Sequence, residues 1–513
     1  MWCVNSAWRI AGRRELAFNR CMSFDAIIVG AGATGSWAAK LLTERGISVL
    51  LLEAGPPVAE VETAARSNGS AEAARQDIQS RCYAFNADTR HLFIDDVDNP
   101  YETPNQLPFV WIRMRLVGGR TVLWHRVALR MSDRQFKAAS LDGFGADWPI
   151  TYSELQPYYD EVERFLGVCG IYSNLEEIPD GLFLPATLSE PAQAFKQAIE
   201  LEWPDRHVTA LRRAGVSAGC ADTALAAAES TTRLTLRTHA VVSRVVCDRS
   251  GREAIGVEYV DCRSGGTREA QGKVIMLCAS TIETPRIMLN STSSRHPHGI
   301  GNSSGLLGQY LTDHISGVGV TGLRAGECDG TSDFYIPNFR NCNGHSEKFL
   351  RGYGIQGYLR PGPQQTTECT LVCFGEMLPR ATNYITLGSA QDRWGIPVPR
   401  VHCRFSDNEL EMAHDQASQS EQILRQAGFD VIGTQGLNPP GCSIHEAGTA
   451  RMGSHPETSI LNSYNQCWEV PNLFVTDGSA FPSVGFQNPT LTMMAITARA
   501  CGYIVREFRR GAW

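Results

Sequence analysis

Close to the start of the chain, Gly30-Ala-Gly32-Ala-Thr-Gly35 follows an unbroken apolar run, Ala26-Ile-Ile-Val. Glycines are costly in regular structure, so three at this spacing mark a place where backbone must turn or be approached closely. A helix is expected over 36–45 with Gly46 ending it, then a second apolar strand, Ser48–Leu52, closing on Glu53. Strand, glycine turn, helix and strand make a βαβ unit, the start of an α/β, Rossmann-type domain. In such a unit Gly30 permits the tight turn, Gly32 lets a pyrophosphate reach the backbone, and Gly35 lets helix and strand pack. The helix N-terminus offers N–H groups and partial positive charge to the phosphates. Glu53, 23 residues after Gly30, can accept both hydroxyls of a ribose. No arginine follows it directly to receive a 2′-phosphate, which disfavours NADP.

Further along, a helix is expected over 153–166 with Pro157 in its first turns, and residues 233–247 and 254–262 alternate like an antiparallel hairpin. Lys273–Cys278 resumes a buried, parallel-type strand, and a helix begins near Thr281 with Glu283 in its first turn. From about 318 to 440 the pattern changes to alternating strands with one helix, 407–427. A buried strand, Leu473-Phe-Val-Thr-Asp, and a last helix near 490–508 then return to the first pattern. The expected architecture is therefore a discontinuous dinucleotide-binding domain with an α+β substrate-binding domain that contains an antiparallel sheet. Residues 22–60, 109–170, 230–317 and 441–510 are assigned to the first, and 61–108, 171–229 and 318–440 to the second. Residues 1–21 read as an extension, disordered or from a misassigned start.

A net charge of −7 and a pI near 6.0 over 513 residues speak against a nucleic-acid partner. No stretch approaches the ~20 apolar residues of a membrane span. The sixteen cysteines are scattered without C-x-x-C spacing, so neither a metal site nor an iron–sulfur cluster is expected. Reduced thiols and the lack of an apolar export segment after Arg13-Arg14-Glu15 make the cytoplasm the expected location.

The fingerprint alone does not separate NAD from FAD; the C-terminus does. Asp477-Gly478-Ser ends a buried strand, and Asn488-Pro-Thr490 opens the last helix, whose N-terminus can support the electron-rich edge of a flavin ring. Asn488 also fits a helix N-cap with Pro489 at the first helical position.

With these segments in view, the chain resembles the glucose-methanol-choline (GMC) oxidoreductases over nearly all of 24–510. The landmarks are the fingerprint with Glu53, Val117-Gly-Gly-Arg-Thr121, Ala279-Ser-Thr-Ile-Glu-Thr-Pro-Arg, Gly305-Leu-Leu-Gly-Gln-Tyr-Leu-Thr-Asp-His314, His445-Glu-Ala-Gly-Thr-Ala-Arg-Met-Gly, and the run from Asp477 to Asn488-Pro-Thr-Leu-Thr. Asp147-Trp-Pro-Ile-Thr-Tyr is similar to the bacterial sugar dehydrogenase and pyranose oxidase branches. The resemblance implies an FAD enzyme that oxidises a CH–OH group, with a sugar, glycoside or polyol as substrate. It implies that His445 takes the hydroxyl proton while hydride goes to flavin N5, with Asn488 as its partner. Imidazole suits that role because its ordinary pKa near ~6.5 leaves much of it neutral, whereas an amide can only orient by hydrogen bonding.

Contacts to the cofactor are assigned to Gly30, Gly32, Thr34, Gly35, Glu53, Gly118, Gly119, Thr121, Trp124, Val242, Ala279, Asp477, Gly478, Asn488 and Thr490. His314 is read as a structural hydrogen-bonding residue. Leu123 stands where pyranose oxidases carry the histidine that bonds the flavin, and His125 is out of register, so FAD is expected to be non-covalent. Only Cys220 precedes the Leu-Thr-Leu-Arg-Thr strand, where some relatives hold a cluster, so no built-in cluster is expected. Reoxidation falls to an external acceptor or to oxygen, a dehydrogenase being favoured. A hydroxynitrile-lyase-like, non-redox use of the same fold is the alternative. Tyr335, Tyr353 and Trp394 are aromatic candidates for stacking on a sugar, although aromatic residues in strands usually lie in the core.

Overall fold

A computed structural model describes residues 23–68, 75–215, 220–326, 328, 330–337 and 348–513; the expected extension at 1–21 lies outside them. The βαβ unit forms as expected. The first strand, Ser23–Val29, pairs in parallel with Val49–Leu52 on one side and with the long strand Gly266–Leu277 on the other. Leu234–Arg237 and Leu473–Val475 extend the parallel sheet at its two sides. The inner strands read as continuous apolar runs because both of their faces are buried. The fingerprint helix, Ala33–Glu44, lies against the helices Cys220–Glu229 and Thr490–Arg509, and the last of these also packs on Tyr152–Leu166. That fourth helix begins with a reciprocal capping box, Thr151 with Glu154, and ends at the left-handed Gly167.

Two stretches differ from the sequence expectation. Residues 233–247 are not one strand: His239, at a positive φ of 57°, breaks it. Leu234–Arg237 therefore joins the parallel sheet, while Ala240–Cys247 pairs antiparallel with Ala254–Asp261. The helix Cys220–Glu229, grouped above with the second domain, instead buries Cys220, Ala224, Leu225 and Ala228 in the core of the first sheet.

The second sheet is antiparallel, in the order Asp430–Gln435, Gly319–Ala325, Thr366–Glu376, Tyr353–Pro361, Ser332–Ile336 and Thr209–Ala210. Its strands alternate with period two. Tyr353, Ile355, Leu359, Cys369, Leu371 and Cys373 point toward the helices Glu190–Glu202 and Asp407–Gln426. The intervening residues, among them Gln356, Tyr358, Val372 and Phe374, face the other way, onto a cavity between the two sheets. A separate hairpin, Tyr384–Gln391 with Pro397–His402, packs on Phe109, Trp111 and Leu311. Among the described residues no helix is long and apolar enough to cross a membrane.

The tightest point is the fingerprint turn. A Cβ on Gly35 would lie 1.8 Å from the Gly30 carbonyl oxygen, and one on Gly30, whose φ is +98°, would lie 2.5 Å from the Cys278 carbonyl oxygen. Gly35→Ala is expected to cost about 3 kcal/mol or more, because backbone rather than a flexible side chain must move. A urea-unfolding midpoint equal to that of the unaltered protein would contradict this close packing.

Candidate active site

The cavity between the sheets has a volume of about 590 Å³ and runs from the fingerprint to His445 and Asn488. Of the catalytic and cofactor-contacting residues assigned from sequence, all but Gly35 line it. Gly35 serves the packing of the turn instead. At Gly32 a Cβ would meet nothing within 4 Å and would protrude into the open cavity, at the N-terminus of a helix with no side-chain cap. Bare backbone N–H groups, the helix dipole and empty space at that point suit a phosphate.

The neighbouring groups fix this wall from behind. Glu53 is buried, and its two carboxylate oxygens accept from the backbone N–H groups of Ala31 and Gly55, each at 2.8 Å. Burial pushes its pKa up while those two hydrogen bonds act against that shift. Four lone-pair sites less two leave acceptor capacity for a diol. Gly118 and Gly119 both have positive φ, and the Gly118 N–H donates to the Ala31 carbonyl at 2.9 Å, which holds the second glycine turn against the first. Thr121 donates to the Gly118 carbonyl at 2.7 Å, and Trp124 and Leu123 continue the wall. Val242 and Ala279 line the same end.

Asp477 is a structural carboxylate. It accepts from Ser280 N–H at 3.0 Å, the Thr284 hydroxyl at 2.6 Å and Ser479 N–H at 2.9 Å, and it contacts the Ser479 hydroxyl. It thereby ties the strand end to the segment after Ala279 and leaves Gly478 at the wall. Thr490 is the first residue of the last helix; Pro489 takes the cap position and Asn488 stands one residue earlier. The expected capping role for Asn488 therefore gives way, its side chain being turned into the cavity.

There Asn488 Nδ2 lies 3.3 Å from His445 Nε2. His445 Nδ1 is 2.9 Å from His314 Nδ1, and His314 Nε2 is 3.0 Å from the Gly485 carbonyl oxygen. A carbonyl only accepts, so His314 carries its proton on Nε2 and presents a bare Nδ1. His445 must then be the donor on Nδ1, which leaves its Nε2 lone pair free for a proton. His314, read from sequence as structural, is more specifically the residue that sets the tautomer of His445. Burial drives the pKa of His314 down to about 4, so it stays a neutral acceptor. The peptide N–H of His445 is held by Asp313 and by the Ser443 hydroxyl, each at 3.3 Å. Asp313 also takes the Gly441 N–H at 2.8 Å, and burial, with the charge of Glu446, raises its pKa to about 7. The pKa of His445 is depressed well below the ordinary value, first by burial and then by His314, Arg120 and His125.

Three features escaped the sequence reading. Arg120 donates to Glu446 Oε2 at 2.7 Å across the cavity wall, and Glu446 Oε1 has no hydrogen-bond partner among the described residues although its side chain is only 1% exposed. Both residues lie inside quoted motifs, but nothing in those motifs pairs them. Gln356 and Tyr358 form the third feature, a short chain of hydrogen bonds ending on Asn488. Tyr335 and Tyr353 lie in the cores, and Trp394 packs near Val241 and Val260; none lines the cavity. Among the described residues no group of three His, Cys, Asp or Glu side chains has the placement of a metal site.

Comparison with known proteins adds to this geometry. GMC oxidoreductase sequence profiles match residues 24–316 and 379–497. A 2-methyl-1,2-propanediol dehydrogenase of Mycolicibacterium austroafricanum is 30% identical over 94% of this chain and 95% of its own length. Paromamine 6′-oxidase of Streptomyces fradiae is 27% identical over 93% and 90%, and the fructose dehydrogenase large subunit of Gluconobacter japonicus 26% over 96% and 100%. An FAD-dependent oxidoreductase from Chaetomium thermophilum shares the fold with a TM-score of 0.68 at 16% identity, over 95% of this chain and 100% of that one. Pyridoxine 4-oxidase from Mesorbium loti does so with 0.62 at 18% identity, over 95% and 99%.

Because the pKa of His445 is depressed, its ring is expected to remain neutral as pH falls through ~6.5, where an ordinary histidine takes its proton. Nuclear magnetic resonance of protein labelled with [15N]histidine reads this directly. A His445 resonance titrating at or above the ordinary midpoint would contradict the buried, neutral assignment.

Proposed function

The chain belongs to the GMC oxidoreductase family, and from that membership we propose that His445 and Asn488 are the catalytic pair of an FAD-dependent sugar, glycoside or polyol oxidoreductase. The family and its named relatives establish an FAD-dependent enzyme acting on CH–OH groups. The observation that carries the catalytic assignment is the bare Nε2 of His445, forced by the His314–Gly485 hydrogen bond to be the acceptor and placed beside the Asn488 amide in the cavity.

The residues present suit FAD. Gly30, Gly32, Thr34 and the helix start would hold the pyrophosphate, and Glu53 the ribose diol. Val242 and Ala279 would border the nucleotide. Gly118, Gly119, Thr121, Trp124, Asp477, Gly478 and Thr490 would frame the ring, and the unpartnered Glu446 Oε1 is an acceptor that a ring N–H would satisfy. When bound, FAD supplies the two-electron acceptor for the carbinol hydrogen.

The protein's own part is proton transfer and alignment. His445 Nε2 accepts the hydroxyl proton, and the resulting imidazolium keeps its Nδ1–H on His314 without rearrangement. Asn488 Nδ2 donates to the developing alkoxide and cannot itself take a proton. Removal of water strengthens both interactions in the low-dielectric cavity.

A polyhydroxylated substrate is supported by the named relatives and by the polar side chains Gln435 and Asn438 that the second sheet and its neighbour present to the cavity. Leu123 in the wall has no nucleophilic atom, and His125, two positions on, lies against Tyr83 with ring centroids 4.3 Å apart and planes tilted by 42°; the leucine at the attachment position supports a non-covalent flavin. The dehydrogenase reading rests on the name of the 30%-identical relative. A cytoplasmic location rests on the unpaired cysteines of the described residues.

Anaerobic mixing with a panel of sugars, glycosides and polyols is expected to bleach the flavin, and His445→Ala to slow that bleaching by about 10²–10⁴. Catalytic turnover of a panel member without any bleaching would instead assign the non-redox chemistry. Dye reduction outpacing oxygen uptake identifies the dehydrogenase. In a separate test, Gly32→Val is expected to leave the unfolding midpoint of the apoprotein unchanged, since its side chain enters open cavity, yet to abolish the flavin absorbance of the purified protein. Retention of stoichiometric flavin by this variant would remove Gly32 from the pyrophosphate site.

A further inference from the structure

We propose that Gln356 and Tyr358 are positioning residues whose hydrogen bonds set which way the Asn488 amide points, and through it the proton-accepting form of His445. The inference deepens the proposed function and rests on His445 being the base.

Gln356 and Tyr358 alternate on the strand Tyr353–Pro361, so both face the cavity rather than the helix-covered side. The Tyr358 hydroxyl donates to Gln356 Oε1 at 2.7 Å, and Gln356 Nε2 donates to Asn488 Oδ1 at 2.8 Å. Gln356 is only 2% exposed, so water does not compete for its amide. The direction of the chain is compatible at every link. Burial raises the Tyr358 pKa to about 12, so its phenol stays protonated and is able to donate. With the Tyr358 hydroxyl donating, the facing atom of Gln356 is its oxygen and the other end is the N–H₂ group. That group in turn makes the facing atom of Asn488 its oxygen, so Asn488 Nδ2 is the atom left to face His445 Nε2.

From the other end, Gly485 and His314 leave Nε2 of His445 as an acceptor. The carbonyl of Gly485, which only accepts, fixes the polarity at His445, and the chain from the Tyr358 phenol meets it there in the matching sense. A reversed Asn488 would place oxygen against a nitrogen lone pair, an arrangement that costs a buried hydrogen bond. The alkoxide would then face an acceptor where it needs a donor.

The polarity yields a ranking that packing alone does not. Gln356→Met keeps the shape and removes the hydrogen bonds, so Asn488 is free to adopt either orientation. Gln356→Glu keeps the shape but offers only acceptors when ionised, so Asn488 turns its N–H₂ group toward the carboxylate and its oxygen toward His445. In the holoenzyme, the rate constant for flavin reduction by a saturating substrate is expected to fall about tenfold to a hundredfold for Gln356→Glu, and less for Gln356→Met. Tyr358→Phe is expected to behave as a weak form of Gln356→Met. Flavin content is expected to stay unchanged in all three, with KM moving less than kcat.

The second readout needs no turnover. In [15N]histidine-labelled holoenzyme, with the His445 resonances identified by their loss in His445→Gln, Nε2 is expected to be unprotonated in the unaltered protein and to gain proton character in Gln356→Glu. A Met variant as impaired as the Glu variant, with the whole effect in KM, would make Gln356 a substrate contact and overturn the proposal. An unchanged His445 resonance in Gln356→Glu would overturn it as well. If instead no substrate bleaches the unaltered enzyme, the base assignment fails while the resonance comparison still decides the hydrogen-bond chain.

Discussion

The structure hangs on a missing side chain. With no Cβ at Gly35, the fingerprint helix starts directly against the carbonyl of Gly30, and with none at Gly30 the turn lies on the end of the strand that carries Cys278. Those two contacts bring three backbone segments to one point at the carboxyl edge of the parallel sheet, where ligands of open α/β sheets bind. Everything on that wall is referred to the same point. Glu53 takes the Ala31 N–H, Gly118 donates to the Ala31 carbonyl, and Asp477 straps the C-terminal strand to the segment following Ala279. A cavity wall held by backbone in this way has few soft modes, which is what alignment of a large cofactor requires.

This reliance on backbone explains why that wall was legible in the sequence. Residues demanded by a tight turn or a close approach leave little choice of type, so Gly30, Gly32 and Gly35 stand out by spacing alone. His445 and Asn488 stood out by resemblance, and the cavity brings them together. What the pattern could not show was where it breaks. The run 233–247 alternates smoothly across His239, yet a single positive φ there sends its two halves to different places in the sheet. The helix Cys220–Glu229 was assigned by its neighbours in sequence, while its small apolar face fits the fingerprint helix.

Residues that act through long-range hydrogen bonds were invisible for a related reason. Gln356 and Asn488 are 132 positions apart, and Arg120 and Glu446 are 326 apart. Period-two alternation tells only that Gln356 and Tyr358 share a face; it says nothing about what that face meets. Of the aromatic candidates, Tyr353 fell on the helix-facing side of the same sheet by this alternation, whereas Tyr335, paired with Gln356 and so on its face, is buried in a small cluster with Val127 and Leu129. Direction along a hydrogen-bond chain is a property of the assembled network, since an amide is a donor or an acceptor according to which end is presented.

The two walls of the cavity therefore do different work on one imidazole. The parallel-sheet wall is shaped for a cofactor, but the two hydrogen bonds that orient His445 both trace to the antiparallel sheet. His314 pairs with that sheet opposite Glu376 of the strand Thr366–Glu376, and Asn488 is held by Gln356 from the strand Tyr353–Pro361. In the proposed reading, the surface that would meet the substrate is thus also the surface that aligns the base. Substitutions there are expected to couple recognition to proton transfer, because displacing a strand moves the donor and acceptor atoms around His445 along with the walls of the pocket. An error of a fraction of an ångström in such an arrangement matters more than lost contact area, since orientation contributes several kcal/mol to a barrier.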